Sequence, residues 1–143
     1  MTPLRTIVYL SSATELMTVR QLELLLVEAR ELNLQNFVTG VLLYNDGNFM
    51  QCFEGSEQAV QLTYQRILGS RRHKDVIELL NEPIEQRSFS DWKMDFLRPT
   101  QAEWQELLSA RWSKKGDEVQ GSSSASEGFM LLHDFWKRSH RIA

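Results

Sequence analysis

Residues Thr39 to Gly55 read TGVLLYNDGNFMQCFEG. Two runs rich in β-branched, aromatic and aliphatic residues, Val41 to Tyr44 and Asn48 to Phe53, flank Asp46-Gly47. That dipeptide has the backbone freedom of a tight hairpin turn, so the stretch predicts a β-hairpin. Side chains alternate along a strand, which puts Phe49, Gln51 and Phe53 on one face. Gln51 then sits between two aromatics on a surface expected to be buried. Its amide has two donors and two acceptor sites, and leaving a buried polar group without a partner costs about 1–3 kcal/mol. Either the fold or a ligand must satisfy it.

The segments around the hairpin supply its context. Leu4 to Leu10 is a short β-type run closed by Ser11-Ser12, with Ile7 and Tyr9 on one face. Thr18 and Gln21 have the spacing of a capping box and open a helix to about Asn33. Leu22, Leu25, Leu26 and Ala29 form its apolar stripe, which Asn33 continues. After the hairpin, Ser56 is an N-cap for a second helix, with Val60, Tyr64 and Ile67 inward and Gly69 as its stop. Lys74 to Ile84 predicts a strand in which Pro83 demands a bulge or an edge, and Trp92 to Leu97 predicts another. Thr100 and Glu103 form a second capping box before a helix bearing Trp104, Leu107, Leu108 and Trp112. A polar linker at about 113–127, containing SSSAS, precedes a last helix from Gly128 to Ile142, with Phe129, Leu132 and Trp136 on one stripe.

The order β-α-β-β-α-β-β matches the ferredoxin-like, split βαβ arrangement, an α+β sheet with two helices on one face. Its second face needs cover, and the two tryptophan-bearing C-terminal helices are the expected cover. The expected division is 1–98 for the sheet domain and 99–143 for the two-helix extension.

Composition narrows the function classes. The 143 residues are 42% hydrophobic and 24% charged, the balance of a soluble globular protein. A net charge of -3 and the lack of a basic stripe argue against nucleic acid as a partner. The single cysteine, Cys52, excludes an internal disulfide and a cysteine-rich metal site. No run reaches membrane-spanning length and no signal-peptide core opens the chain, so the expected location is the cytoplasm.

Common catalytic motifs are absent: there is no phosphate loop, GxGxxG, HExxH or GxSxG. His73, His133 and His140 lack metal-ligand spacing, so no metal is expected. What remains is a set of non-acidic polar groups aimed at one place. Tyr9, Asn33 and Gln51 all point to the helix side of the sheet, where Trp92 and Met94 can join them. A phenol and two amides are poor equipment for hydrolysis, because none is a good base near neutral pH. They suit a flat heterocycle held by its polar edge, with Leu25, Phe49 and Ile67 as apolar walls. Each residue also has a purely structural reading. Tyr9 can be a core tyrosine, Gln51 a cross-strand glutamine, Asn33 a helix terminator, and Trp92 and Met94 plain core. Cys52, on the strand face opposite Gln51, reads as a small buried residue.

TIVYLSSA around Tyr9, Asn33 followed by FVTGVLLY, then GNFMQCFEG and SFSDWKMDF together resemble the BLUF family of blue-light receptors using FAD. The resemblance runs from Leu4 to about Leu97. It implies an FAD between the two helices, with its ring over the sheet and its polar edge held by Asn33. Gln51 would lie between that ring and the Tyr9 hydroxyl. Blue light would drive electron transfer from the tyrosine to the flavin, coupled to proton movement through the glutamine. The rearranged amide would then produce a small red shift. Trp92 and Met94 match the strand that responds, while Arg66, Arg72 and His73 would face the diphosphate. Leu32 and Ser70 depart from the pattern, standing where relatives often have a polar or aromatic residue and an acidic one.

The expected function is therefore that of a photoreceptor with no enzyme domain. Its signal would pass from Gln51 through the last strand and the C-terminal helices to a homo-oligomer interface or an unidentified downstream protein. Two alternatives stay open. One is a flavin-free ferredoxin-like interaction module; the other is an acylphosphatase-like hydrolase using Arg and Asn, against which the missing glycine-rich anion loop counts.

Overall fold

The computed structural model describes residues 3–71, 73–89, 94–112 and 127–139. In chain order the elements are β1 (Leu4–Ala13), α1 (Val19–Asn36), β2 (Thr39–Asn45), β3 (Asn48–Ser56), α2 (Glu57–Leu68), β4 (His73–Ile84), β5 (Asp95–Leu97), α3 (Gln101–Ser109) and α4 (Glu127–Ser139). The strands form one mixed sheet in the order β4-β1-β3-β2-β5, in which only the β2–β5 pair is parallel. This is the ferredoxin-like α+β arrangement expected from the sequence.

The hairpin forms as the Asp46-Gly47 pair predicts. Both residues take positive φ, 49° and 89°, so the turn twists with its strands, and Asn45 pairs with Asn48. Gly40 on β2 is required for a different reason. A Cβ there would lie 1.9 Å from the Cys52 carbonyl oxygen on β3.

Several ends differ from expectation. Ser11 and Ser12 extend β1 instead of closing it, because both neighbouring strands run alongside: Ser12 pairs with Asn48 on β3 and Lys74 on β4. The serine hydroxyls find partners there, Ser12 on Asn48 Oδ1 at 3.2 Å and Ser11 on His73 Nδ1 at 2.8 Å. Helix α1 keeps its Thr18/Gln21 capping box but continues past Asn33 to a left-handed cap at Phe37. Asn33 is thus not a terminator; its carbonyl accepts the Val38 N–H at 2.9 Å. Strand β4 is an edge, as Pro83 requires, and its pairing with β1 is interrupted by two register shifts. Only Asp95–Leu97 of the expected last strand is seen as β5, residues 90–93 lying outside the described residues.

The helix-side core joins Ile7 and Tyr9 of β1, Leu42 and Tyr44 of β2, and Phe49 and Phe53 of β3. Leu22 and Leu26 of α1 and Val60 and Ile67 of α2 pack onto them. Full burial of an aromatic such as Phe49 or Phe53 contributes about 2 kcal/mol, so this layer anchors both helices to the sheet. On α2, Thr63 is buried alongside Val60 and Ile67, while Tyr64 is only half-buried.

The chain divides into two compact units, Met1–Arg98 and Pro99–Ala143. In the second, Thr100 and Glu103 form the expected capping box of α3, which buries Trp104 and Leu107. Trp112 lies beyond the helix end, and its indole N–H donates to the Leu107 carbonyl at 2.9 Å. Gly128 leaves room for that indole, since a Cβ there would fall 2.3 Å from its ring. Helix α4 buries Phe129, Leu132 and Phe135; Phe135, not the expected Trp136, completes the stripe. Residues 113–126 of the expected linker lie outside the described residues. Among the described residues no helix is long and apolar enough to cross a membrane.

Candidate functional site

A cleft opens between α1 and α2 above the sheet. Leu25, Glu28, Ala29, Leu32 and Asn33 of α1 form one wall, and Thr63, Arg66 and Ile67 of α2 form the other. Leu42 and Gln51 make the floor, and Ser70 and His73 stand at one end. Its volume is about 230 Å³, below the ~300–1,000 Å³ of a site that encloses a whole drug-sized ligand. Such a space admits one flat ring system and leaves the rest of a larger ligand to run out.

Gln51 links this cleft to the core. Its alternating position on β3, opposite Tyr9 in the β1 register, turns both side chains to the helix side. The Tyr9 hydroxyl donates to Gln51 Oε1. Gln51 Nε2 in turn lies 3.4 Å from the Met94 sulfur, a weak acceptor. The amide orientation follows from this network of partners. Tyr9 is wholly buried, and burial pushes its phenol well above the ordinary tyrosine value, so it stays protonated. The rings of Phe53 and His73 meet it edge-on at 6.1 and 6.0 Å.

The expected site residues divide into several groups. Asn33, Gln51, Leu25, Ile67, Arg66 and His73 all border the cleft. Burial lowers the Arg66 guanidinium from its usual range, but the side chain remains an available cation. Tyr9 lies behind Gln51, and Met94, buried just before β5, is the second partner of Gln51. Phe49 does not line the cleft; it packs beneath it against Tyr44 and His73, at 5.0 and 4.9 Å. Its strand face was foreseeable, but its depth depends on the rings above it. Trp92 and Arg72 lie outside the described residues.

Other contributors escaped the sequence reading. Thr63 borders the cleft with a buried hydroxyl that has no hydrogen-bond partner among the described residues. A threonine between Val60 and Ile67 reads as ordinary helix, so only the α1–α2 packing marks it. Arg30 on α1 donates through Nε to the Met94 carbonyl at 2.9 Å, tying the cleft helix to the residue that contacts Gln51. Glu54, one residue beyond Phe53, is fully buried on the opposite strand face. Its Oε1 accepts the backbone N–H groups of Ser88 and Phe89 at 2.8 and 3.1 Å. Among the described residues no cluster of histidine, cysteine or acidic groups could hold a metal ion.

A family model described as BLUF, sensors of blue light using FAD, matches residues 4–95. The blue light- and temperature-regulated antirepressor BluF of Escherichia coli (strain K12) is 31% identical over 117 residues, covering 82% of this chain and 29% of its own length. The photoactivated adenylate cyclase subunit beta of Euglena gracilis is 36% identical over 94 residues, 65% of this chain and 11% of that protein. The chain therefore spans less than a third of these relatives. Among solved structures, the dark state of the BLUF protein BlrB superposes with a TM-score of 0.76 at 27% identity, covering 97% of this chain and 98% of that one. BlsA in its photo-activated state gives 0.67 at 29% identity over 73% of this chain and 76% of the other.

Proposed function

This chain belongs to the BLUF family, sensors of blue light using FAD, and on that premise we propose that the α1–α2 cleft holds the FAD ring while Tyr9 and Gln51 turn absorbed light into a hydrogen-bond rearrangement. The residues present fit such a group. Leu25, Ala29, Leu42 and Ile67 supply an apolar slot, and Asn33, Gln51 and the Thr63 hydroxyl, which has no partner among the described residues, supply polar atoms at its margin. A flavin ring presents carbonyls and a ring N–H along one edge, and amides can donate and accept toward both. The cleft's size supports a ring inside with the remainder leading out past Ser70 and His73, where the Arg66 guanidinium complements a diphosphate. Leu32 and Ser70 both border the cleft, so the departures from the family pattern bear on how the ligand packs.

When bound, FAD supplies blue-light absorption and an excited-state electron acceptor. Tyr9 contributes a phenol that burial keeps protonated and that points its proton at Gln51 Oε1. A phenol that has lost an electron is far more acidic, and Gln51 Oε1 is the atom positioned to take its proton. The Gln51 amide faces Tyr9 with its acceptor end and Met94 with its donor end. Exchanging the ends turns a donor toward Tyr9 and an acceptor toward the sulfur. From Met94, with Trp92 as the second expected responder, the signal would enter β5 and reach the C-terminal helices, then an oligomer interface or a partner protein. Switching requires that the partner bind the two states with different affinity.

The observation that carries this reading is the hydrogen-bonded run Tyr9–Gln51–Met94 beside the cleft. The test is the absorption spectrum of the FAD-loaded protein before and after blue light. A reversible red shift is expected, and it should vanish in Gln51→Leu and in Tyr9→Phe. An unchanged spectrum from loaded, illuminated wild type would sink the reading.

A further inference from the structure

Helix α1 turns one face to the core and the cleft, and carries a second apolar line on the side facing away. Leu24, Val27 and Leu34 are 56%, 53% and 52% exposed, far more than the core residues Leu22 and Leu26 of the same helix at 4% and 6%. Singly scattered surface leucines need no explanation. These are not scattered. Arg20, Leu24, Val27, Glu31 and Leu34 follow each other at alternating intervals of four and three, the spacing of a seam between two packed helices. All five are exposed, and Leu16 before the helix and Phe37 at its cap, 72% and 76% exposed, extend the apolar surface at either end.

The two charges in the seam select the partner and its direction. Arg20 stands near the N-terminal end and Glu31 toward the C-terminal end. A parallel pairing of this helix with itself would oppose arginine to arginine and glutamate to glutamate. An antiparallel pairing about a two-fold axis between Leu25 and Leu26 opposes Arg20 to Glu31 of the other copy, twice. The same axis sets Leu24 against Val27 of the other copy, also twice, and brings Leu34 opposite the Leu16–Met17 segment. One symmetry operation thus pairs both charged positions and the two central apolar positions of the line, as an isologous contact requires. We propose that a second copy of this chain docks here, α1 against α1 and antiparallel, to form a homodimer. A seam of one helix is a small interface, so the dimer is weak and concentration-dependent. The proposal stands independently of the flavin reading, since no seam residue borders the cleft.

The test is analytical ultracentrifugation of the full chain in the dark, across a wide concentration range, with far-ultraviolet circular dichroism as the folding control. Wild type should show a monomer–dimer equilibrium. Arg20→Glu and Glu31→Arg should each weaken it by about tenfold or more, because like charges then face each other twice. The double variant R20E/E31R should recover the dimer. So should an equimolar mixture of the two single variants, because every charge in the seam then faces one of opposite sign on the other copy. Wild type that stays monomeric throughout, single reversals that leave the equilibrium unchanged, or failure of both rescues would each overturn the proposal.

Discussion

At Gln51 one planar amide joins a phenol to a thioether, and the proposed switch rests on the difference between its two ends. The sequence revealed the amide's strand face and its neighbour Tyr9, because alternation along β1 and β3 is a local property. It did not single out Met94 from Trp92, since that depends on where a distant strand meets β3. Glu54 marks the same limit. It reads as one acidic residue in a strand, yet it is buried and accepts two backbone N–H groups from Ser88 and Phe89. Burial raises its carboxyl above the ordinary range, an effect that the Phe89 and Ser88 bonds and nearby Arg87 only partly offset. A raised folded-state value for an acid means that its contribution to stability is present below the unfolded value and is lost as pH rises through the folded one. Glu54→Gln keeps an acceptor and removes the ionisation, so wild type should lose stability relative to this variant as the pH rises through that window. Glu54→Ala should cost about 1–3 kcal/mol by removing the side-chain acceptor of two backbone N–H groups, that of Phe89 buried and that of Ser88 partly so. Urea unfolding of the three proteins as a function of pH checks both; parallel curves for wild type and Glu54→Gln would contradict the linkage.

Elements were legible where their chemistry is local. The Asp46-Gly47 turn and the capping boxes at Thr18/Gln21 and Thr100/Glu103 all form as read. Strand and helix ends were less so. Ser11-Ser12 has turn-like composition, but pairing on both sides makes it strand; α1 outruns Asn33 because Phe37 adopts the left-handed cap. Gly40 is a tertiary constraint hidden in an ordinary strand. Gly40→Ala would drive a Cβ into the Cys52 carbonyl and force β2 away from β3. The expected loss is about 3 kcal/mol, with weaker flavin retention, because Leu42 and Gln51 on these two strands form the cleft floor. Chemical unfolding midpoints and the flavin content of the purified protein measure the two effects. A variant of unchanged stability would mean that the hairpin tolerates the displacement.

Across the molecule, the two compact units invite separation of photochemistry from output. If the C-terminal helices relay the signal, deleting Ser113 to Ala143 should preserve the light-induced spectral shift while altering dark recovery, oligomeric state or partner binding. Leaving the photocycle, oligomeric state and partner binding all unchanged would remove α4 from the route. The proposed α1 seam adds a second place where state can be read, because the same helix borders the cleft through Leu25, Ala29 and Asn33.

Periodicity, turn chemistry and caps, which act over a few residues, determined the order of elements, the hairpin and the shared face of Tyr9 and Gln51. The four-and-three spacing along α1 is also written in the sequence. Whether such a line is core or surface is decided only when another element does or does not cover it, and the fold buries Leu22 and Leu26 while leaving Leu24 and Val27 exposed. The Gln51–Met94 contact, the Thr63 hydroxyl at the cleft and the burial of Glu54 belong to the same class. Each depends on residues distant in the chain, whose meeting is set by strand register and helix packing.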